Sequence, residues 1–255
     1  MGCGRAPVSR SAGGLPGARI LAIESATAQA TVAVLAGDAL LAHVATPSDR
    51  PASEALLPAL LEAVAEAGLA LDALDAIAVS VGPGSFTGLR VGVATAKGLA
   101  FDALPVVAVP TLAALAARAE PGDGPVAAVL DARRGEVYAA IHDGDPLAPP
   151  SRGPAVLRPD ALADALAACA RGRRVRVVGD GVPVVAAHLY ERFGDRAALS
   201  PPPLGRCDAE AVGRLAQRLL ARGAAIAAEA LAPVYVRRAE AEVRRTGERF
   251  ETPSR

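Results

Sequence analysis

Cysteine is scarce: Cys3, Cys169 and Cys207 are far apart, odd in number and form no CxxC pair. That excludes a disulfide framework and suits a reducing, cytoplasmic environment. Histidine is equally sparse. His43, His142 and His188 are never three or four apart, so no helix presents a paired-histidine metal site. With the cysteines scattered as well, no structural or catalytic transition metal is expected, and each histidine is expected on a strand or helix surface. Net charge is absent too, with 27 basic and 27 acidic residues. A neutral chain has no general field for drawing in nucleic acid or anionic membrane. RNA contact must come from a local patch or a partner. No apolar run reaches the ~18 residues that span a bilayer, so no membrane role is expected. Lysine is nearly missing: Lys97 is the only one among the 27 basic residues. With abundant alanine, this reads as G and C codon bias.

What is present is size and greasiness. The chain has 255 residues, 52% of them hydrophobic, enough for one large domain or two modest ones. Residues 1–18 lack periodicity and a signal-peptide core and are expected to be a disordered tail, with folding from Arg19. "RILAIES" (19–25) reads as a buried strand, followed by a hairpin turning at Gly37-Asp38. "SEALLPALLEAVAEAGLA" (53–70) repeats leucine at helical spacing, with Ser53 as N-cap and Gly68 near the stop. Pro58 falls in its first turns, where proline costs least. "DAIAVSV" is a strand, a glycine loop follows, and a helix runs from about Leu89 to Ala100. One more strand and helix complete a βββαβαβα series, which argues for an α/β layer with a partly parallel sheet.

"EPGDGP" (120–125) is the best boundary, giving a first α/β lobe over 19–119 and a second over 120–255. Beyond it, two strands flank "ARRG", residues 144–154 read as an irregular loop, and helix, strand, helix and a final helix follow. The rhythm matches the first half without a close sequence repeat.

The glycine loop "VGPGSFTGLRVGVATAKG" (81–98) carries the most information. It is no P-loop, because Gly-Lys-Ser/Thr is missing. It breaks the dinucleotide fingerprint, because Thr87 fills the last glycine position and no ribose-holding acid follows. A glycine-rich strand-to-helix turn still aims N–H groups at a helix start, where an anion is favoured. Gly82, Gly84, Ser85, Thr87, Gly88 and Arg90 are the candidates. Close packing of strand, loop and helix explains the glycines equally well, and the residues alone leave both readings open. In "LAIESAT", Glu24 at a strand end before hydroxyls could face phosphate or merely cap a turn. "DARRGEVYAA" reads as a hairpin with exposed Arg133 and Arg134, and "VVGDG" as a tight turn into a helix. The tail from Pro233 mixes Arg237, Arg238, Arg244, Arg245 and Arg249 with Glu240, Glu242 and Glu248, which favours a solvated mixed-charge helix.

Taken together, "ILAIESAT", "LLPALLEAV", "VSVGPGSFTGLRVGVATAKGLA", "VPTLAALA", "DARRGEVYAA", "VGDG" and "PVYVRR" resemble, in order and spacing, the TsaB (YeaZ) family of bacterial tRNA threonylcarbamoyladenosine biosynthesis proteins. The resemblance covers Arg19 to about Arg238. It implies a two-lobed actin-like, Hsp70-like α/β fold with the second lobe reduced. It implies a non-catalytic subunit that pairs with a TsaD-like catalytic subunit and, with a TsaE-like ATPase, supports threonylcarbamoyl transfer to N6 of adenosine 37 in tRNA. It implies that tRNA is reached through the complex and that this chain requires no cofactor of its own; the sequence leaves open whether the chain alone is a monomer or a homodimer, and whether ATP or ADP sits in this lobe pair or at the partner interface. The first-lobe helices carry the implied contact, through Leu56, Leu57, Leu60, Leu61 and Val64 on one and Val91, Thr95 and Leu99 on the other. Two residues depart from the family pattern: Glu24 stands for a common Asp, and Ser53 for a common His. Both weaken a nucleotide site here; neither touches pairing. The alternatives are an autonomous ATPase or small-molecule kinase of the same fold, a peptidase disfavoured by the missing metal ligands, and an oxidoreductase disfavoured by the broken fingerprint.

Overall fold

The structure is a computed structural model and describes residues 17–100, 104–203 and 205–237. The first strand shows how the sequence builds it. β1 (Arg19–Glu24) is apolar on both faces. Period-two alternation sends Ile20 and Ala22 to one core and Leu21 and Ile23 to another. A strand buried on both sides must sit mid-sheet, and β1 does. β2 (Thr31–Ala36) pairs with it antiparallel and β3 (Ala39–Ala45) extends the meander, while β4 (Ala76–Gly82) and β5 (Val106–Pro110) join in parallel. The order is β3-β2-β1-β4-β5.

The second sheet repeats this plan with β6 (Val126–Asp131), β7 (Val137–His142), β8 (Arg152–Leu157), β9 (Val175–Val178) and β10 (Ala197–Ser200), in the order β10-β9-β6-β7-β8. Read from the meander edge, the two orders are the same. This duplicated plan is the α/β actin-like fold. The reduction expected of the second lobe lies in strand length, since β9 and β10 have four residues each.

Among the described residues, six α-helices sandwich the sheets: α1 (Ala52–Glu66), α2 (Phe86–Ala100), α3 (Thr111–Ala116), α4 (Pro159–Ala170), α5 (Val182–Phe193) and α6 (Ala209–Ala221). α1 and α2 cover one face of the first sheet, and α4 and α5 cover the outer face of the second. α3 and α6 lie between the sheets in a core shared by Ile20 and Ala22 of β1 with Ala128 and Leu130 of β6. α6 follows the second sheet in the chain but packs on the first. Its Gly213 sits against Leu35 and Ala22, and the Ala209 N–H donates to the Thr31 hydroxyl at 2.8 Å. Asp208 caps it by accepting from the Ala211 N–H at 2.9 Å. Assigning all of 120–255 to the second lobe therefore misplaces this helix.

Other boundaries also move. α1 starts at Ala52 after Pro51, so Ser53 lies in the first turn and caps nothing. α2 starts at Phe86, three residues before the expected Leu89. β8 claims the end of the expected loop, and β10 was not anticipated. Ala18, expected in the tail, is buried, and its carbonyl accepts from Gln217 at 2.7 Å. Residues 1–16 lie outside the described residues. After α6 the chain returns as an irregular strap, with the Val234 N–H donating to the Val81 carbonyl at 2.7 Å. Residues 233–237 are thus not the solvated helix expected; Arg238 and the charged residues after it lie outside the described residues. Among the described residues, no helix is long and apolar enough to cross a membrane.

Candidate functional site

The C-terminal ends of β1, β4, β6 and β9 point toward one cleft between the sheets, the position where α/β proteins usually place ligands. The cleft has a volume of about 480 Å³ and is lined by Thr27, Gly84, Ser85, Asp131, Arg133 and Asp180, among others. It brings together two carboxylates that the sequence leaves 49 residues apart: Asp180 accepts from the Asp131 backbone N–H at 3.0 Å. Burial is the main cause raising the Asp180 carboxyl above its usual range, and that hydrogen bond opposes it. Asp131 in turn pairs with Arg133 at 3.4 Å. Asp180 and Tyr138 lie in two stretches that the sequence singles out, VVGDG and DARRGEVYAA, but neither is picked there as a cleft residue.

The glycine loop answers to packing. Gly82 has φ of +121°, and a β-carbon there would strike the Val234 carbonyl oxygen. Gly84, Gly88 and Gly92 lie so close to Ser25 and Ala26 that any side chain would overlap the backbone or the Ser25 hydroxyl. The Ser25 hydroxyl donates to the Gly88 carbonyl at 2.9 Å, and the Ser85 N–H to the Ala26 carbonyl at 2.7 Å. Ser85 also caps α2, its hydroxyl accepting from the Gly88 N–H at 3.2 Å. Thr87 is exposed. Arg90 turns away from the cleft: it stacks 3.9 Å over the Phe86 ring and donates to the Tyr235 hydroxyl at 3.1 Å.

Glu24 closes its own turn. Fully buried, it accepts from the Ala26 N–H at 2.6 Å and the Thr27 hydroxyl at 2.7 Å. Burial raises its carboxyl to about 7 against the pull of those bonds. Both carboxylate oxygens of Glu24 are thus engaged by its own turn. No group of three or more His, Cys, Asp or Glu among the described residues could hold a metal. His43 and His188 are exposed as expected, whereas His142 is buried.

The leucine stripe of α1 splits. Leu56, Leu60 and Val64 are sealed in the chain's own core, so they are unavailable to a partner. Leu57 and Leu61, one turn apart, are 50% and 51% exposed. On α2, Val91, Thr95 and Leu99 are half-buried. α1 and α2 are in contact, and Val91 and Leu99 pack partly against the same core that seals Leu56 and Leu60.

Comparison with known proteins decides the family. Residues 40–245 match the family model described as "TsaD: tRNA N6-adenosine threonylcarbamoyltransferase". The solved structure of YeaZ from Pseudomonas aeruginosa superposes with a TM-score of 0.71 at 36% identity, over 86% of this chain and 99% of that one. The chain belongs to the TsaB (YeaZ) family. The TsaB protein of Escherichia coli K12, named for tRNA threonylcarbamoyladenosine biosynthesis, is 39% identical over 130 residues, or 50% of this chain and 56% of the relative. The Bacillus subtilis TsaB is 36% identical over 124 residues, or 48% and 54%. The chain thus spans about half the length of the curated relatives it matches.

Proposed function

We propose that this chain is a non-catalytic subunit of a tRNA-modifying transferase. It acts in the cytoplasm and pairs with a TsaD-like catalytic subunit through α1 and α2. With a TsaE-like ATPase, the assembly moves threonylcarbamoyl from threonylcarbamoyl-AMP to N6 of adenosine 37 in tRNA. The observation that carries the reading is the pair Leu57 and Leu61, large apolar side chains half in solvent on a helix whose opposite side is already packed. Covering a leucine fully is worth about 1.5–3 kcal/mol, so each half-exposed leucine offers a partner about 1 kcal/mol. Val91 and Leu99 extend the face, and the small residues of α2, Ala94 and Gly98, let a partner helix approach closely.

Family membership and the names of the relatives support the tRNA assignment. The neutral charge of the chain fits a subunit that meets tRNA through its complex rather than by its own field. Without the TsaD-like subunit, the same face is available to a second copy.

Reconstitution tests the reading. The chain is omitted from a mixture of TsaD-like and TsaE-like proteins, tRNA and a source of threonylcarbamoyl-AMP, and modified adenosine is measured. The expected result is loss of modification on omission and recovery on return. Undiminished modification without the chain would refute the proposal.

A further inference from the structure

The sequence singles out "PVYVRR", and pairing through α1 and α2 gives that segment no task. In the fold, residues 233–237 cross from the first lobe to the second beside the cleft. On the first lobe, the Val234 N–H donates to the Val81 carbonyl at 2.7 Å, near the end of β4. The Val234 carbonyl passes so close to Gly82 that a β-carbon there would overlap it. The Tyr235 ring lies 4.9 Å from the Phe86 ring, and its hydroxyl accepts from Arg90 at 3.1 Å. Two residues on, Arg237 belongs to the second lobe. Its guanidinium pairs with Glu136, donates to the Ala132 carbonyl at 2.8 Å and sits 5.9 Å from the Tyr138 ring centre.

These anchors are parts of the cleft walls. Phe86 lines one wall, and Ala132 and Tyr138 line the other. The chain has four phenylalanines and three tyrosines, and Phe86, Tyr138 and Tyr235 gather along this strap. The opposite flank of the cleft is crossed by the chain passing from β10 to α6, where Arg206 donates to Gln29 at 2.8 Å, beside β2. Sheet order puts β2 and β4 on either side of β1, so the two crossings flank the cleft. Behind it, α3 and α6 hold both sheets in one shared core. Lobes arranged in this way around a cleft can open and close as hinged bodies. On the strap's flank, the hold on the second lobe converges on Arg237, whose side chain is 15% exposed. A shielded, hydrogen-bonded guanidinium fixes geometry in a way that a solvated surface pair does not.

We propose that residues 233–237 are a latch that sets the spacing of the two cleft walls, and that release of Arg237 opens the cleft on the side of α2. The latch acts within this chain and is independent of the tRNA-modification reading.

Pulsed electron paramagnetic resonance on the full chain tests it. Spin labels are placed at Glu54→Cys on α1 and Ala187→Cys on α5, exposed positions on the outer helices of the two lobes. Cys3→Ser and Cys169→Ser prevent stray labelling, and Cys207 is buried. Arg237→Gln should lengthen the distance between labels by several ångströms and broaden its distribution. Tyr235→Ala, which removes the anchor on the other wall, should do the same. Arg173→Gln, which breaks an ion pair with Asp143 inside the second lobe, should leave the distribution unchanged. Hydrogen exchange should quicken at residues 131–138 in the two latch variants, with the protection of α6 in the shared core unchanged. An unchanged distribution in both latch variants would overturn the proposal, as would a shift in only one of them when both fold. A shift accompanied by lost protection of α6, or matched by Arg173→Gln, would mean general loosening and would overturn it as well. Should Arg237→Gln fail to fold, Tyr235→Ala decides by the same readings.

Discussion

The hydroxyl of Ser25 donates to the carbonyl of Gly88 at 2.9 Å, joining the end of the first strand to the start of the helix that follows the glycine loop. The contact exists because Gly88 has no side chain: a β-carbon would overlap the Ser25 carbonyl. Gly88→Ala should therefore lower the unfolding free energy by about 3 kcal/mol, the upper range for overpacking. Gly98, in the same helix, has open space at its β-carbon position. Gly98→Ala should instead raise stability by about 0.5–1 kcal/mol. Urea unfolding of both variants checks the opposed signs.

Glu24 should make stability fall as pH rises. Its carboxyl is raised from 4.5 to about 7 by burial, so between those values the folded chain holds a proton that the unfolded chain has lost. The stabilisation is complete below pH 4.5 and is lost by about pH 7, on the order of 3 kcal/mol. Glu24→Gln keeps the shape and removes the titration. The difference between wild type and variant in urea midpoint should change over that window and be flat above it.

Leu57→Glu combined with Leu61→Glu should leave the monomer's thermal midpoint within 1–2 °C, because surface changes away from packed features are nearly neutral (about ±0.5 kcal/mol). The same variant should lose association with the TsaD-like subunit at micromolar concentration by light scattering. Leu60→Glu should unfold the chain, since Leu60 is wholly enclosed.

Arg237 and Glu136 form an ion pair between the C-terminal strap and the β6–β7 hairpin, and Arg237 also donates to the Ala132 carbonyl at 2.8 Å. Both side chains are mostly shielded, at 15% and 20% exposure. A double-mutant cycle with alanine at each position should return a coupling of about 1–2 kcal/mol, larger than a surface pair gives.

Hydrophobic rhythm made the βββαβαβα series readable, because buried strands such as β1 leave an unbroken apolar run that polar turns delimit. β8 escaped because Gly153 and Pro154 lie inside it, both residues that normally argue against a strand. β10 escaped because "AALS" is four residues with no alternation. The destination of α6 was unreadable in principle: its pattern shows that one face is buried, not which sheet buries it.

The site divides the same way. The density of glycines at 82–92 announced a constrained loop, but whether ligand or backbone demanded them depends on Ser25 and Ala26, distant in sequence. On α1, leucines at 56, 57, 60 and 61 span about 140° of the helix circumference at 100° per residue, wider than the stripe that one sheet buries, so spacing alone could not say which pair faces outward. His142 looked like a surface residue because it ends a strand; the proline-rich loop that buries it has no periodic signature.

The crossing of α6 makes the two halves inseparable. During synthesis, the first sheet emerges early yet keeps one greasy flank uncovered until residues 209–221 arrive to close it. Contacts that span most of the chain make for slow folding and a long-lived exposed intermediate. An excised first half would be a sticky fragment rather than a miniature of the whole.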